Sequence, residues 1–313
     1  MKRLVTVLIA TLAFSAAAAE RVDFDLVLAN GRVVDGTGAP WFRADVGIRG
    51  DRIAAIGNLS AAKTRRRIDV AGRVAAPGFI DMLGQSAWDV LIDNRVESKI
   101  RQGITTEITG EGHTVAPIDE AMIADSKPFL DRFRLTVDWR DIDGYARRLE
   151  KHRSAINVAI FASATNVRRL VLGTQDVKPS PAQLRKMESL VERAMAQGAL
   201  GLSSALIYPP ATYSDREELT ALARVAARRG GLYASHIRSE GHDLMAAIEE
   251  ALAIGRDAGI PVEIWHLKAS GRSNWGKMKH VLERLEKARA EGVDVTANAY
   301  PYIAGMNPLS ANV

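Results

Sequence analysis

Four helical stretches in the second half of the sequence end in glycine, and each glycine is followed within a few residues by an apolar strand candidate. The glycines are Gly198, Gly230, Gly259 and Gly292. Glycine just beyond a helix readily adopts the left-handed backbone conformation that a C-terminal cap requires. The pattern therefore predicts four helices with a strand after each.

Three earlier strand candidates extend this pattern. They cover residues 75–83, 104–112 and 156–164. Strands that alternate with helical or mixed segments in this number favour a parallel (β/α)8 barrel of the TIM type over an open doubly wound sheet. The predicted fold is thus an α/β barrel with seven strands present and the eighth missing. Residues 119–140 show no clear period and are expected to form an irregular crossover.

The residues before the barrel show different patterns. Residues 1–19 combine a basic start, an apolar stretch and small residues at Ala17 and Ala19, which is typical of a cleaved signal peptide. This favours a periplasmic or secreted protein with no membrane attachment after cleavage, and a membrane anchor is the competing interpretation. Residues 20–75 contain short alternating apolar segments with Asn30-Gly31 as a hairpin signal. We expect a small β-domain over 20–75 and the incomplete barrel over 76–313.

Composition excludes some classes of function. The chain is 47% hydrophobic and 25% charged, which is typical of a globular protein. Its net charge of +5 is modest, and the densest basic run, at 63–67, lacks interleaved aromatic residues, so no nucleic-acid partner is expected. Cysteine is absent, so the fold has no disulfide bond and a metal site must use other ligands.

Two consecutive strand candidates end with a histidine followed two residues later by a cation. The first carries His236 and Arg238, and the second carries His266 and Lys268. Because side chains alternate along a strand, each pair is expected to project from one face. A single histidine at a strand end is more often a hydrogen-bonded core residue than a ligand. Two at matching positions, where parallel barrels carry their chemistry, favour a Zn²⁺ site.

A third protein ligand would complete a catalytic type of zinc site with one ion. Glu111 also closes a strand candidate and is the strongest choice, although on spacing alone a solvated loop acid is an equal alternative. His113 is expected to line the site without binding the metal. Tyr208 and Tyr300 lie near the ends of the fourth and seventh strands and are candidates to bind substrate oxygen atoms, with simple packing as the alternative.

Several longer motifs resemble a known family. They are "DLVLANGRVVDGTG", "APGFID", "GITTEITGEG", "GALGLSSALIYPP", "YASHIRSEG", "EIWHLKASGRSNWGK" and "ANAYPY". From about Phe24 to the last residue, the chain resembles the amidohydrolase superfamily, and specifically its D-aminoacylase (N-acyl-D-amino-acid deacylase) group. The resemblance implies a small β-domain beside a metal-dependent (β/α)8 barrel that hydrolyses the linear amide bond of an N-acylated D-amino acid.

The resemblance also implies roles for individual residues. His236 and His266 match the zinc-binding histidines of the family, and Glu111 falls where those enzymes commonly place a cysteine ligand. Carboxylate can replace thiolate as a zinc ligand. Positions that contact the substrate in the family match Tyr208, Lys268 and Tyr300. We extend that role to Arg238, so that the two cations would bind the carboxylate of a small-molecule substrate.

Two departures from the family pattern affect the expected activity. The family follows "GFID" with a His-x-His pair, but this chain has Leu83 and Gln85 in those places, so a second metal ion is not expected. The family's catalytic aspartate comes from the eighth strand, which would lie beyond Val313, so no residue is assigned that role. The chain as written is therefore expected to be poorly stable and nearly inactive. If it is active, Asp81 or His113 would be the first residues to test.

Two alternatives to the deacylase remain open at this point. A cyclic-amide hydrolase of the hydantoinase type would use a carbamylated lysine on the fourth strand, but "LGLSSALIY" contains no lysine. A non-catalytic barrel could instead use the same strand ends to bind a small carboxylate ligand. Zinc content would distinguish a hydrolase from such a binding protein.

Overall fold

The computed structural model describes residues 22–305, so the predicted signal peptide at 1–19 lies outside the described residues. Within residues 22–305, no helix combines the length and the apolar character that a membrane span requires. The chain divides into two compact units, one that ends at Pro77 and one that begins at Gly78.

The first unit is a mixed β-sheet. Its strands are β1 (Phe24–Val33), β2 (Phe42–Arg49), β3 (Arg52–Gly57), β4 (Thr64–Asp69) and β5 (Val74–Ala75). The order across the sheet is β3-β2-β1-β4, and β5 also pairs with β1. Strands β1 to β3 are antiparallel to their neighbours in this series, whereas β4 and β5 run parallel to β1. The buried side chains of Phe24, Val27 and Ala29 form the core of this sheet.

The hairpin predicted at Asn30-Gly31 is wrong, because both residues lie inside β1. The register between β1 and β2 shifts between Leu28 and Gly31, which indicates a β-bulge. Asn30 has a left-handed φ of 60°, and its backbone N–H donates to Asp45 Oδ1 at 2.8 Å. Asparagine tolerates this conformation in a bulge as well as in a hairpin turn, so the dipeptide alone does not distinguish the two. The chain turns later, between β1 and β2.

The second unit contains the parallel strands. They are β6 (Phe79–Asp81), β7 (Ile104–Thr109), β8 (Asn157–Ile160), β9 (Ala162–Ser163), β10 (Gly201–Ala205), β11 (Leu232–His236), β12 (Val262–Ile264) and β13 (Val295–Ala297). They form one sheet in the order β6-β7-β8 and another in the order β13-β12-β11-β10-β9. All adjacent pairs are parallel. Their carboxyl ends therefore lie at a common edge within each sheet.

Strands β8 and β9 are two parts of one predicted strand, interrupted at Phe161. The backbone N–H of Phe161 donates to Thr109 at 3.0 Å, and Leu200 N–H donates to Ile160 at 2.9 Å. The first of these bonds reaches β7, and the second reaches the residue just before β10. The interrupted strand thus links the two sheets in chain order.

Ten helices lie between or beside these strands. They are α1 (Asp89–Ile92), α2 (Glu97–Ile100), α3 (Glu120–Asp125), α4 (Lys127–Phe133), α5 (Ile142–His152), α6 (Ala164–Leu172), α7 (Pro181–Ala196), α8 (Arg216–Arg228), α9 (Leu244–Ala258) and α10 (Lys277–Ala290) within residues 22–305. The irregular crossover expected over 119–140 is wrong, since α3 and α4 occupy much of it. Asp119 caps α3 by accepting the Met122 N–H at 2.9 Å. Both helices are only six or seven residues long, too short for a clear period.

The predicted helix ends are confirmed for α7 to α10. The four glycines that follow these helices have positive φ values of 97°, 72°, 64° and 88°. Helix α8 packs against β10 and β11, and α9 packs against β12. Buried side chains such as Leu222, Leu252 and Ile264 belong to one large apolar cluster. Regular strand-helix packing of this kind holds the strand ends at fixed positions.

Candidate metal centre

Three predicted ligands converge where three parallel strands end. Glu111 lies two residues after β7, His236 is the last residue of β11, and His266 lies two residues after β12. Glu111 Oε1 is 2.6 Å from His236 Nδ1 and 2.9 Å from His266 Nε2. One possible ligand atom of each residue lies within 4.8 Å of the other two. The structure thus brings the carboxylate and both imidazoles to a single point.

The cluster is largely withdrawn from solvent. The exposed side-chain fractions of His236, Glu111 and His266 are 5%, 8% and 11%. Burial acts to raise the pKa of Glu111, but the hydrogen bonds to His236 and His266 outweigh it and hold that pKa well below its usual range. Burial acts to lower the pKa of His266, but its bonds to two carboxylates raise it to about 9. Without a metal ion, the site is therefore an anionic carboxylate that binds histidine N–H groups.

His266 reaches the cluster through an unusual backbone conformation. The register pairs Ser235 of β11 with Ile264 of β12, so His236 lies level with Trp265 rather than with His266. His266 has a left-handed φ of 39°. Its backbone N–H donates to Asn298 Oδ1 at 2.6 Å, and this bond supports the turn. The matching positions inferred from the two motifs therefore differ by one residue, and the turn at His266 compensates for that difference.

Glu240 is a site residue that the sequence analysis missed. Its Oε1 atom lies 3.1 Å from His266 Nδ1 and 3.6 Å from His236 Nε2, and it accepts a close hydrogen bond from Lys268. Burial acts to raise the pKa of Glu240, but contacts with His266 and Lys268 lower it. The available signal was its place in "YASHIRSEG", four residues after His236.

Three of the four predicted substrate-binding residues border the cluster. Lys268 Nζ is 3.0 Å from His266 Nδ1 and lies 5.4 Å from the centre of the Tyr300 ring. The Tyr300 ring centre is 6.4 Å from that of His266. On the other side, the Tyr208 ring centre is 5.5 Å from that of His236. Burial and the charges of nearby carboxylates raise the pKa of Tyr208, so its hydroxyl keeps its proton at neutral pH.

Arg238 is the exception, and the role predicted for it is not supported. Its guanidinium binds both carboxylate oxygens of Glu250 on α9, at 2.9 and 2.8 Å. It also donates to the backbone carbonyls of Thr212 and Ser214, at 2.7 and 2.8 Å. These bonds use four of its five donors. Arg238 thus ties the segment after β10 to α9 instead of facing a ligand with Lys268.

The end of β6 contributes a hydrogen bond and apolar packing. Gln85 Nε2 donates to Glu111 Oε2 at 2.6 Å, which leaves Oε1 to the two histidines. Leu83 packs against the apolar cluster that contains Phe161 and Trp265. Neither side chain offers a good ligand for a second metal ion.

Asp81 and His113, the reserve candidates for a catalytic role, have other surroundings. The Asp81 carboxylate forms an ion pair with Lys99. Burial, followed by the charge of Arg169, lowers the pKa of His113. Within residues 22–305, no hydrogen bond or ion pair joins either residue to Glu111, His236 or His266.

The residues of the cluster fit a zinc ion. Two imidazole nitrogens and one carboxylate oxygen form a set that zinc commonly uses in catalytic sites, with a fourth position left open. Each histidine directs one ring nitrogen at Glu111 and the other towards Glu240. In such an arrangement, the inner nitrogens are available to a metal ion while the outer nitrogens face a carboxylate.

Comparison with known proteins gives matches over most of the chain. An N-acyl-D-glutamate deacylase from Alcaligenes xylosoxydans xylosoxydans is 41% identical over 289 residues, which is 89% of this chain and 57% of the relative. No family model matches the chain. The chain thus spans less than three-fifths of the length of this relative.

Solved structures match the chain over about the same extent. The crystal structure of a D-aminoacylase, described as defining a novel subset of amidohydrolases, matches with a TM-score of 0.83 and 39% identity over 90% of this chain and 59% of that one. An N-acyl-D-glutamate deacylase from Bordetella bronchiseptica, in complex with zinc and a phosphonate inhibitor, matches with a TM-score of 0.82 and 36% identity over 89% and 59%. The fold of the described residues thus matches that of these amidohydrolases. These matches confirm the resemblance to the D-aminoacylase group seen in the sequence.

Proposed function

We propose that the protein is a zinc-dependent hydrolase that deacylates N-acyl-D-amino acids by cleaving their linear amide bond. The observation that carries the proposal is the convergence of Glu111, His236 and His266 within 4.8 Å of one another at the ends of parallel strands. Its chemical support is the relative that binds zinc together with a phosphonate mimic of the tetrahedral intermediate of the reaction. We further propose that the strands form part of a closed (β/α)8 barrel, as TIM-type enzymes do.

Glu111, His236 and His266 would hold one zinc ion. When bound, zinc supplies Lewis-acid chemistry that polarises a carbonyl group and activates water. The Glu111 carboxylate turns Oε1 towards the histidines because Gln85 binds its other oxygen. Leu83 and Gln85 replace better ligands at the end of β6, which supports a single ion.

The residues around this centre would bind the substrate. Lys268 is the cation proposed to bind the substrate carboxylate, since its ammonium group is partly exposed beside His266. The protonated hydroxyl of Tyr208 would donate a hydrogen bond to a substrate oxygen atom. Tyr300 would pack beside Lys268 and close one side of the site. Arg238 is omitted, because its donors are bound to Glu250 and to backbone carbonyls.

A linear amide is a better proposed substrate than a cyclic one. Strand β10, with the sequence GLSSA, carries no lysine that could be carbamylated to bridge two metal ions. Its two serines are buried, and Ser204 is hydrogen-bonded to Tyr233 at 2.7 Å. This strand therefore lacks the metal-bridging residue that a hydantoinase-type site requires. The signal peptide predicted at 1–19 leads us to propose a periplasmic or secreted location.

The proposal is tested by metal content and substrate selection. Protein expressed from its complete gene is purified without chelator and its zinc content is measured. Amine release is followed from N-acetyl-D-glutamate and its L-enantiomer, and formation of the ring-opened N-carbamoyl product is followed from a hydantoin. We expect about one zinc ion per chain and hydrolysis of the D-enantiomer only. Ring opening of the hydantoin, or hydrolysis without any metal, would contradict the proposal.

The proposed contact between Lys268 and the substrate carboxylate is tested separately. The methyl ester of the α-carboxylate in N-acetyl-D-leucine keeps the scissile amide but removes one negative charge. We expect weaker binding of the ester than of the acid, because Lys268 then lacks its ionic partner. Equal inhibition constants for acid and ester would show that Lys268 does not bind the substrate carboxylate.

A further inference from the structure

We propose that Glu240 is a positioning residue whose carboxylate faces the outer nitrogens of both histidines and thereby determines which ring nitrogen each histidine offers to zinc. This inference rests on the zinc site proposed above. It adds a residue that neither the family motif nor the ligand geometry assigns a role.

The Glu240 carboxylate lies on the side of the two histidine rings that faces away from Glu111. The inner nitrogens, His236 Nδ1 and His266 Nε2, both face Glu111 Oε1. The outer nitrogens, His236 Nε2 and His266 Nδ1, lie 3.6 and 3.1 Å from Glu240 Oε1. The two ring centres are 4.4 Å apart and the rings are nearly perpendicular, at 84°. A single oxygen atom of Glu240 can therefore approach both outer edges.

Glu240 is held firmly enough for this role. Its side chain is only 13% exposed, and Lys268 donates a hydrogen bond to the carboxylate. Its backbone carbonyl accepts the Ser270 N–H at 2.7 Å, which joins the segment after β11 to the segment after β12. The carboxylate thus has a fixed position between the two segments that carry the histidines.

This placement determines the tautomers of the zinc-bound site. A metal-bound nitrogen carries no proton, so a neutral ring bound through its inner nitrogen carries its proton on the outer nitrogen. That proton needs an acceptor in a buried site. Glu240 Oε1, 3.1 Å from His266 Nδ1, is placed to accept that proton. It also belongs to the carboxylate that approaches His236 Nε2, a buried atom without a hydrogen-bond partner among residues 22–305. Lys268 Nζ also lies 3.0 Å from His266 Nδ1, but it offers only donors, so it cannot accept the ring proton in place of Glu240.

The two histidines should depend on Glu240 to different degrees. The 3.1 Å contact with His266 is within hydrogen-bonding distance, whereas the 3.6 Å contact with His236 is longer. Removal of the carboxylate should therefore disturb the His266 ring more than the His236 ring. A general packing defect would be expected to disturb both rings to a similar degree.

The test measures zinc affinity and ring protonation in the full chain. Zinc dissociation constants are determined by chelator competition for the wild type, Glu240→Gln, Glu240→Ala and the control Glu217→Gln. The control removes an equal charge from a surface carboxylate that binds Lys178. We expect the Glu240 variants to lose about 10–100-fold in zinc affinity, as is usual when a carboxylate behind a metal-bound histidine is removed. The control should bind zinc as the wild type does.

Nitrogen-15 NMR of the zinc-bound protein identifies the nitrogen that carries the proton in each ring. In the wild type we expect Nε2–H for His236 and Nδ1–H for His266, both protected from solvent exchange. In Glu240→Gln the His266 N–H signal should lose more of its protection than that of His236. The denaturation midpoint of each variant is measured without metal to check that it folds. If Glu240→Ala is unfolded, the conclusion is drawn from Glu240→Gln.

The possible outcomes separate this inference from the proposed function. Wild-type zinc affinity in Glu240→Gln, with both ring signals unchanged, would overturn the role of Glu240 and leave the zinc site intact. A loss above about 1,000-fold with unchanged ring signals would identify Glu240 as a direct ligand and also overturn it. A wild-type chain that binds no zinc would overturn the proposed function, and the inference with it.

Discussion

Strands β11 and β12 end with the same short pattern, a histidine and then a cation two residues later, but the structure uses the two patterns differently. After β12, His266 and Lys268 both join the cluster around Glu111 and Glu240. After β11, only His236 joins it. Arg238 turns away and binds α9 and the segment after β10. Equal spacing in the sequence therefore does not give equal positions in space.

The difference arises from where each strand ends. Side chains alternate between faces only while the backbone keeps its strand conformation. Strand β11 extends through His236, whereas β12 ends at Ile264, two residues before its histidine. The left-handed φ of 39° at His266 then directs the chain back to the site. Both pairs therefore extend beyond the strand residues over which side chains alternate.

Side-chain chemistry adds to this geometric difference. Arginine has a planar fork of donors that matches a carboxylate and two carbonyls, and Arg238 uses it in that way. Lysine is a compact charge with three donors. Lys268 accordingly stays beside one carboxylate oxygen and the His266 carbonyl. We therefore expect a stability role for the first cation and propose a ligand-binding role for the second.

The largest expected effect concerns the two histidines, one from each strand, that both join the cluster. His236→Ala and His266→Ala should each lower zinc affinity by roughly 10³-fold, because a zinc site with about 10–16 kcal/mol of binding free energy divides it among few ligands. Chelator competition measures the loss. His280→Ala, which removes a surface histidine on α10, is the matched control and should bind zinc normally. Equal zinc retention in all three variants would contradict the ligand assignment.

The next effect is a pH dependence of stability that comes from the histidine after β12. The pKa of His266 is raised to about 9 from an ordinary value of 6.5, so its protonated form stabilises the metal-free fold. This stabilisation is fully present below about pH 6.5 and is lost as the pH rises through about 9. It amounts to at most about 3 kcal/mol. Denaturant unfolding with chelator present, near pH 6 and near pH 9.5, measures it.

His266→Gln is the control for this pH dependence. The variant should lose much of the difference between the two pH values, because glutamine does not titrate. An unchanged difference would assign the pH dependence to another group. Zinc binding should show the opposite trend and strengthen towards pH 9, since the metal must displace the proton on the inner nitrogen.

Much of the fold, and the convergence of Glu111, His236 and His266, could be predicted from the sequence because the relevant signals are local. Glycine caps identify helix ends, and the parallel strands that follow bring their carboxyl ends to one edge. This places His236 and His266 at one edge, and the expectation of a barrel adds Glu111 from the other sheet. The roles of Glu240 and Arg238 could not be derived in this way. Both residues lie beyond the end of β11, where their positions depend on contacts with Lys268 and Glu250 that are distant in the sequence.

The third effect tests the structural role of Arg238. Arg238→Lys keeps the charge but cannot reproduce the bonds to Glu250, Thr212 and Ser214 at the same time. We expect it to lower the free energy of unfolding by about 1–3 kcal/mol, since partly buried acceptors lose their donor. Zinc affinity should change little. A stable variant that has lost binding to carboxylate ligands would instead support the role first predicted for Arg238.

The fourth effect tests the role of Lys268, the corresponding cation after β12. Lys268→Met removes the charge but keeps much of the side-chain length, so the free energy of unfolding should change less than in Arg238→Lys. Affinity for an N-acyl-D-amino acid should fall by about 10-fold, which corresponds to one charge-assisted hydrogen bond. Calorimetric titration of the zinc-bound protein measures the affinity. If Lys268→Met is the less stable variant and binds the acid normally, the division of roles is reversed.

The smallest expected effect comes from the end of β6, which supplies neither a ligand nor a cation. Gln85 is held close to Glu111 by its neighbours. The Ser86 N–H donates to Glu107 Oε1 at 2.7 Å, and a Cβ atom at Gly84 would lie 2.1 Å from the Glu107 carboxyl group. Only glycine allows this close approach at position 84.

Gln85→Ala should therefore remove the amide without moving the backbone that carries it. The second Glu111 oxygen then loses its donor, and the carboxylate is less strictly oriented towards the histidines. We expect zinc affinity to fall by about 3–10-fold, since one hydrogen bond contributes about 0.5–1.5 kcal/mol. Gln102→Ala, whose amide binds only the Ser98 carbonyl at a surface turn, is the control. If Gln85→Ala weakens zinc binding as much as His266→Ala does, the end of β6 participates in the metal site directly, and the distinction between ligand strands and supporting strands fails.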